Sequence, residues 1–246
     1  MNKKNWEDFS EQLEIEIKKE IAENYYGEKV YLEEKWKEYE ELLKELKEAK
    51  KKLSTEALRL ILLLDDSTLL TRLEKETGFP FLECAKNCPL WTKSKECQEE
   101  LLKELLLPFG FTKKGRFKKV VFKAYKRFYE AFKQYEKKLK ETAAWYKLVK
   151  KETESFHKNF DISNILNFFS RLDSFSTEST QDKAKVWEEL SQSLKLPIPP
   201  SPEENFPLYK PPPEPEKVRS ILSKIAGLYF KKHPEEAKKK LEKLYQ

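Results

Sequence analysis

The chain has 246 residues, of which 37% are charged, and its formal net charge is +6. Leu, Ile and aromatic residues are still frequent enough to build a core, which excludes a disordered polyelectrolyte. The longest uninterrupted apolar run, Leu60–Leu64, is far shorter than the roughly 20 residues of a membrane-spanning helix, so we predict no membrane partner. The N-terminus also lacks the apolar core of a signal peptide, which predicts a cytoplasmic location.

The N-terminal third predicts an acidic helical hairpin. Apolar residues recur at three- and four-residue steps over residues 4–24 and again over residues 28–53. Between these two stretches, Asn24–Gly27 has the composition of a turn, with Gly27 available for a positive φ. Residues 1–77 carry fifteen bases and twenty acids, a net charge of −5. We therefore predict two antiparallel helices with an acidic surface.

Short helices follow the predicted hairpin. Ser54 is predicted to cap a buried helix that ends near Leu64. Asp66 is predicted to cap the next helix, which ends near Gly78. Residues 79–93 contain two prolines and predict irregular structure.

The three cysteines, Cys84, Cys88 and Cys97, have the spacing C-x3-C-x8-C. A thiolate metal site usually has four ligands, and the fourth is missing here unless His157 or a Glu supplies it. We therefore favour buried structural thiols or one disulfide, and predict no cofactor. A zinc or iron–sulfur centre on these cysteines is an alternative, and a reactive thiol is another.

A long central helix is predicted next. A helix capped by Ser94 is expected to end near Leu107, where Pro108–Gly110 separates it from the central helix. The central helix is expected to start near Lys114 and to continue to Lys158, because its apolar residues recur at steps of three and four. The spacing is close to a period of 3.5, which favours packing along another long helix.

Residues 113–140 carry the strongest functional signal. They contain twelve Lys or Arg against two acids, a local net charge of +10. Such an excess predicts a platform for nucleic acid or another polyanion, because each neutralised phosphate releases a counterion. The candidate contact residues are Lys113, Lys114, Arg116, Lys118, Lys119, Lys123, Lys126, Arg127, Lys133 and Lys137.

Aromatic residues are interleaved with this charge, and they have two interpretations. Exposed rings would stack on bases. Rings spaced at helical steps are more typical of a core-facing stripe, with the lysines left on a solvated face. The rings are Phe117, Phe122, Tyr125, Phe128, Tyr129, Phe132 and Tyr135.

The rest of the chain predicts helices and one proline-rich segment. A helix is expected from Asp161 to Phe169, a polar loop over residues 174–182 and a further helix over residues 186–194. Nine prolines between Pro197 and Pro215 exclude helix, disfavour sheet and predict an extended polyproline II strap. Two more helices follow, an amphipathic one over residues 218–230 and a short basic one from Pro234.

Motifs that would indicate catalysis are scarce. Glu154 and His157 match the E-x-x-H of di-iron bundles, but the only other histidine, His233, has no glutamate at the required offset. Asp65–Asp66 is better explained by helix capping than by acid–base chemistry. The chain has no phosphate-binding glycine loop and no nucleophile motif, which disfavours an enzyme.

The sequence thus predicts an all-α protein with three parts: a multi-helix bundle over residues 1–195, a proline-rich strap over 196–216 and a C-terminal helical segment over 217–246. The predicted function is non-catalytic binding of nucleic acid or another polyanion. An alternative is a protein-interaction or assembly subunit, in which acidic and basic faces pair between chains, with an acidic protein or a second copy as partner. Heavy use of Lys and Glu also predicts a thermophilic source.

Overall fold

The structure is a computed structural model, and it describes residues 3–103, 105, 113–159 and 196–243 of the chain. Those ranges contain no strand, so they have the all-α, multi-helix fold that the sequence predicts. Within them, no helix combines the length and apolar composition needed to cross a bilayer. The helices are α1 (Lys3–Leu63), α2 (Ser67–Thr77), α3 (Phe81–Lys86), α4 (Lys95–Lys103), α5 (Lys113–Asn159), α6 (Pro202–Asn205), α7 (Pro215–Lys232) and α8 (Pro234–Lys243).

The predicted N-terminal hairpin is wrong, because α1 is one continuous helix through the expected turn at Asn24–Gly27. A glycine in a helix interior costs only about 1 kcal/mol, which packing on either side of it can offset. Tyr25 and Leu32 both pack against Phe156 of α5, so the helix keeps one register across Gly27. Ser54 likewise lies inside α1, where its hydroxyl donates to the Lys51 carbonyl at 2.9 Å instead of capping a new helix.

Replacing the two glycines Gly27 and Gly78 tests this continuity. We expect Gly27→Ala to raise the free energy of unfolding by about 0.5–1 kcal/mol, since a Cβ there meets nothing within 4 Å and alanine favours helix. Gly78 ends α2 with a φ of 68°, where an alanine is strained, so we expect Gly78→Ala to lower the free energy of unfolding by about 1–2 kcal/mol. Chemical denaturation followed by circular dichroism measures both. If Gly27→Ala also lowered the free energy of unfolding, that result would indicate a turn at Gly27 and contradict the continuous helix.

The chain divides into two compact units, residues 1–41 with 143–201 and residues 42–142 with 202–246. In the first unit, α1 and α5 run antiparallel. Trp36 donates from Nε1 to Thr153 Oγ1 at 3.2 Å, and the rings of Tyr39 and Tyr146 lie 5.5 Å apart. Tyr39 also donates from Oη to the Pro200 carbonyl at 3.0 Å.

The core of the second unit forms on the apolar face of α5. Phe79 and Phe81, beside the end of α2, place their rings 4.8 and 4.7 Å from Phe128. Helix α3 lies within the stretch 79–93, which was expected to be irregular; its Phe81 side chain is buried in this core. Helices α2 and α8 both pack against α7, and α8 also contacts α4.

Tyrosine hydroxyls hold the proline-rich segment of the second unit. Tyr135 donates from Oη to the Pro207 carbonyl at 2.8 Å, and Tyr125 donates to the Pro213 carbonyl at 2.8 Å. Prolines have carbonyls but no N–H, so this segment depends on outside donors. The prediction that its prolines exclude helix is wrong at α6, where Pro202 occupies a first-turn position that needs no amide donor. Polyproline II geometry elsewhere in the segment stays a prediction.

Several sequence predictions fall outside the described residues. They concern the break at Pro108–Gly110, the helix from Asp161 to Phe169, the polar loop over residues 174–182 and the helix over residues 186–194. The predicted division of the chain after residue 195 also stays a prediction.

Candidate functional site

The aromatic residues of α5 belong mainly to the core. Phe117, Tyr125, Phe128, Phe132 and Tyr135 are all fully or almost fully buried. Burial raises the pKa of both Tyr125 and Tyr135, in keeping with hydroxyls that stay protonated and donate to prolyl carbonyls. The interpretation of the rings as a core-facing stripe is therefore confirmed for these five. The two remaining rings, Phe122 and Tyr129, are partly buried.

The ten predicted contact residues divide by exposure. Four of them are partly buried, namely Arg116, Lys118, Lys123 and Arg127. The other six are exposed, namely Lys113, Lys114, Lys119, Lys126, Lys133 and Lys137. Lys119, Lys126 and Lys133 are spaced by seven residues, two helical turns, so they lie almost on one line of the solvent face.

Acids neutralise the C-terminal half of this basic stretch. Glu136 pairs with Lys140 at 2.8 Å and with Lys133 at 3.3 Å. Hydrogen bonds from Lys140, and next from Lys133, outweigh partial burial and lower the pKa of Glu136. Lys137 lies 3.7 Å from Glu141, so it too has an acid beside it.

Helix α1 contributes a further acid to this half. Glu45 accepts a hydrogen bond from Lys138 Nζ at 2.6 Å, and this bond is the main cause of a raised pKa for Lys138. Residues 1–77 have a net charge of −5, so acids of the N-terminal third are available to screen the basic helix. Within the described residues that screening is present here, at the end of the basic stretch nearer to residue 140.

Arg127 is partly buried and pairs with a buried carboxylate. Its Nη2 lies 3.4 Å from Glu56 Oε1, and the other oxygen of this carboxylate contacts Arg59 Nη1. Glu56 and Arg59 are 5% and 1% exposed, and Arg59 also donates from Nε to the Leu101 carbonyl at 2.8 Å. Arg127 is thus part of a buried Arg–Glu–Arg cluster that the sequence analysis missed.

The N-terminal half of the stretch differs in its charge balance. In the parts of the chain that the structure describes, Lys114, Lys118 and Lys126 make no ion pair within 4.0 Å. The positive charge of Lys113 helps to lower the pKa of Glu235 of α8, although the hydrogen bond from Lys238 is the main cause. The cationic surface that remains is therefore concentrated between Lys113 and Lys126.

The cysteines divide between core and surface. Cys84 and Cys88 are buried, Cys97 is exposed and all three are free thiols. Burial raises the pKa of the Cys84 thiol to about 12, which disfavours the thiolate that a metal or a nucleophilic reaction requires. Among the described residues, no three His, Cys, Asp or Glu side chains come together as a metal site. The arrangement supports the interpretation of Cys84 and Cys88 as packed structural thiols.

Asp66 is the N-cap that the sequence predicts for α2. Its Oδ1 accepts from the backbone N–H groups of Thr68 and Leu69 at 3.0 and 3.2 Å. Its Oδ2 accepts from Lys232 Nζ at 2.6 Å and lies 3.1 Å from His233 Nε2. Hydrogen bonds from Lys232, then His233, hold the pKa of this carboxyl well below its usual range.

A second set of contacts continues this network on α7 and α8. Tyr229 donates from Oη to Glu236 at 3.3 Å and accepts from Lys240 Nζ at 2.7 Å. The Lys240 ammonium also lies 4.8 Å from the centre of the Tyr229 ring. Because these polar groups satisfy one another, the network favours a structural role in fastening α2, α7 and α8 together.

The E-x-x-H pair does not form a ligand set. Glu154 is exposed and lies 3.8 Å from Lys150 Nζ. His157 is partly buried with its ring beside Phe156, at 5.9 Å between centroids.

Helix α7 places a second set of lysines beside the N-terminal half of the basic stretch of α5. These lysines are not among the contact residues that the sequence predicts. Phe117 stacks on Tyr229 with ring centres 5.3 Å apart, and the Arg219 guanidinium lies 5.0 Å from the centre of the Phe122 ring. The exposed lysines of α7 include Lys224. Their spacing on an amphipathic helix was visible in the sequence, but their position beside α5 depends on tertiary packing.

Comparison of the chain with protein-family models, with curated proteins and with solved structures finds no match in any of the three.

Proposed function

We propose that the protein is a non-catalytic binding module for nucleic acid or a similar polyanion, and that the N-terminal half of α5 is its contact surface. The observation that carries the proposal is the contrast within one helix. Lys133, Lys137 and Lys140 have acids within 4 Å, whereas Lys114, Lys118 and Lys126 make no ion pair within the described residues. An unneutralised cationic face is costly by self-repulsion unless a counter-charge binds it.

Binding through this surface would be electrostatic. Each lysine that meets a phosphate releases a condensed counterion, so affinity falls steeply as the salt concentration rises. Phosphates are the same for every sequence, so contacts of this kind position the ligand without selecting one sequence. A cytoplasmic location, which the sequence predicts, fits such a ligand.

Two triple variants with the same net charge test the proposal. We expect Lys114→Gln/Lys118→Gln/Lys126→Gln to weaken binding to a labelled 20-base-pair DNA at low salt by about tenfold or more, and to reduce the salt slope by about 3, one per lost phosphate contact. The control Lys133→Gln/Lys137→Gln/Lys140→Gln removes three lysines that already have acidic neighbours. We expect it to change affinity by less than about threefold, since paired lysines are partly neutralised.

Fluorescence anisotropy at several salt concentrations measures both variants against the wild-type protein. Equal losses in the two variants would show that net charge alone is responsible, and would remove the assignment to Lys114, Lys118 and Lys126. An absence of binding to DNA, RNA and polyphosphate by wild-type protein at micromolar concentration in low salt would overturn the proposed function itself.

The alternative function, an assembly subunit with complementary acidic and basic faces, stays a prediction. The Glu45–Lys138 contact lies within one chain, at 2.6 Å. Part of the complementarity that would attract a second copy is thus already satisfied in the monomer, which favours the polyanion over the assembly partner.

A further inference from the structure

Helix α7 runs antiparallel to the first half of α5 and widens its cationic surface. Phe122 lies beside Arg219, whereas Phe117, further toward the start of α5, lies beside Tyr229 and Phe230, further along α7. The solvent sides of the two helices therefore adjoin each other along this length.

Gly227 marks the line where the two helices meet. A Cβ added to Gly227 would lie 3.4 Å from Lys118 Cε, so the side chain of Lys118 extends across α7 at the one position that has no side chain. Lys224 and Lys231 are three residues before and four residues after Gly227, which makes them its neighbours on the helix surface. Lys118 of α5 thus reaches α7 between two lysines of α7.

Lys224 and Lys231 have the same charge environment as Lys118. Both are exposed, and neither makes an ion pair within 4.0 Å in the described ranges. The positions three and four residues from Lys224 hold no acid: they are Ser220, Ile221, Gly227 and Leu228. By contrast, Lys217 at the start of α7 lies 3.3 Å from Glu214.

The chemistry of this surface favours phosphate over bases. Single-stranded nucleic acid is held by aromatic platforms on which its bases stack, together with a cationic groove. Five of the seven rings of the basic stretch are in the core. The Phe122 ring has Arg219 over it, and the partly buried Tyr129 ring has the Lys133 ammonium 5.8 Å from its centre. Ammonium groups are left to make the contacts, and these bind phosphate oxygens. A duplex keeps its bases stacked inside and presents two phosphate strands outside, so it needs no aromatic platform.

We infer that Lys224 and Lys231 of α7 complete the binding surface of α5, and that its ligand is double-stranded nucleic acid, held through phosphates across the two helices. This inference rests on the proposed function, since it needs α5 to bind a polyanion. It adds a second helix to the site and a duplex as the form of the ligand.

The test compares a duplex with a single strand that has the same number of phosphates. The probes are a 20-base-pair DNA, a 20-base-pair RNA and a 40-nucleotide unstructured DNA strand, each titrated by anisotropy at several salt concentrations. We expect wild-type protein to bind at least one duplex about fivefold or more tightly than the single strand, because stacking contributes nothing on this surface. Comparison of the DNA duplex with the RNA duplex shows whether the phosphates of a B-form or of an A-form helix fit this surface better.

Variants of α7 test its contribution. We expect Lys224→Gln/Lys231→Gln to weaken duplex binding by about fivefold or more and to reduce the salt slope by about 2. The control Lys217→Gln/Lys238→Gln removes the same charge from lysines that pair with Glu214 and Glu235, and we expect less than about a twofold change. Thermal unfolding of each variant verifies that it is folded.

The outcomes separate this inference from the proposed function. Binding of the single strand as tightly as both duplexes would overturn the duplex assignment. An effect of Lys224→Gln/Lys231→Gln no larger than that of the control would overturn the role of α7. In either case, a loss of binding in the Lys114/Lys118/Lys126 variant would leave the proposed function of α5 standing, whereas no binding of any probe by wild-type protein would remove both.

Discussion

Replacing Glu56 by Gln is expected to lower the free energy of unfolding by about 3–5 kcal/mol. Glu56 contacts both Arg59 and Arg127, and the side chains of Glu56 and Arg59 are buried. The Glu56→Gln substitution removes a carboxylate that two arginines share, and breaking a buried ion pair is far more costly than losing a surface pair. Urea denaturation followed by circular dichroism measures the loss.

A surface pair on the same helix provides the control for Glu56→Gln. Glu48 is exposed and lies 3.6 Å from Lys51, so Glu48→Gln removes an acid without uncovering a buried charge. We expect a change within about 0.5 kcal/mol. If Glu56→Gln were as mild as Glu48→Gln, the Glu56 carboxylate would contribute no more than a surface pair, and its role in the buried cluster described above would be contradicted.

The second large effect is expected at Asp66. Asp66→Ala removes the N-cap of α2, worth about 1 kcal/mol, and the charged hydrogen bond from Lys232, worth about 1.5–3 kcal/mol. These contributions overlap, so we expect a total loss of about 2–3 kcal/mol in the free energy of unfolding. Asp66→Asn keeps a side-chain oxygen that can cap the helix but removes the charge. We expect its free energy of unfolding to lie between those of Asp66→Ala and the wild type.

The pH dependence gives an independent test of Asp66. Its pKa is lowered in the folded protein by Lys232 first and His233 second. A lowered folded-state pKa stabilises the protein above the unfolded-state value of roughly 3.9, and this stabilisation is lost as the pH falls below it. We expect the difference in unfolding free energy between wild type and Asp66→Asn to be largest near pH 6–7 and to shrink below about pH 4. A difference that stays constant from pH 7 to pH 2.5 would contradict the charged contact.

Elements that depend on local pattern were predictable from the sequence. Helix α5 begins at Lys113 and ends at Asn159, close to the expected Lys114 and Lys158, because its apolar steps of three and four recur over many turns with one gap at Thr142. Helix α2 has the expected cap at Asp66 and the expected end at Gly78, since both signals come from the chemistry of single residues.

Features that depend on tertiary register were not predictable. Gly27 is a local turn signal, but packing of α1 on α5 overrides it. Glu56 and Arg59 look like ordinary surface residues of a charged helix, and only the neighbouring helices bury them. The candidate site divides in the same way. The pairs of Glu136 and Glu141 with lysines of α5 join residues three or four positions apart on one helix, so they could be read from the sequence. The Glu45–Lys138 contact depends on the alignment of α5 with α1 and could not.

The tyrosine contacts to the proline-rich segment have a consequence for association between chains. A segment with nine prolines between Pro197 and Pro215 has few amide donors, so it cannot supply the repeated ladder that an incoming strand would need. Tyr125 and Tyr135 already occupy the carbonyls of Pro213 and Pro207. The parts of this segment outside α6 are thereby protected against edge-to-edge β-aggregation. Other extended segments avoid this aggregation with charged side chains or bulges.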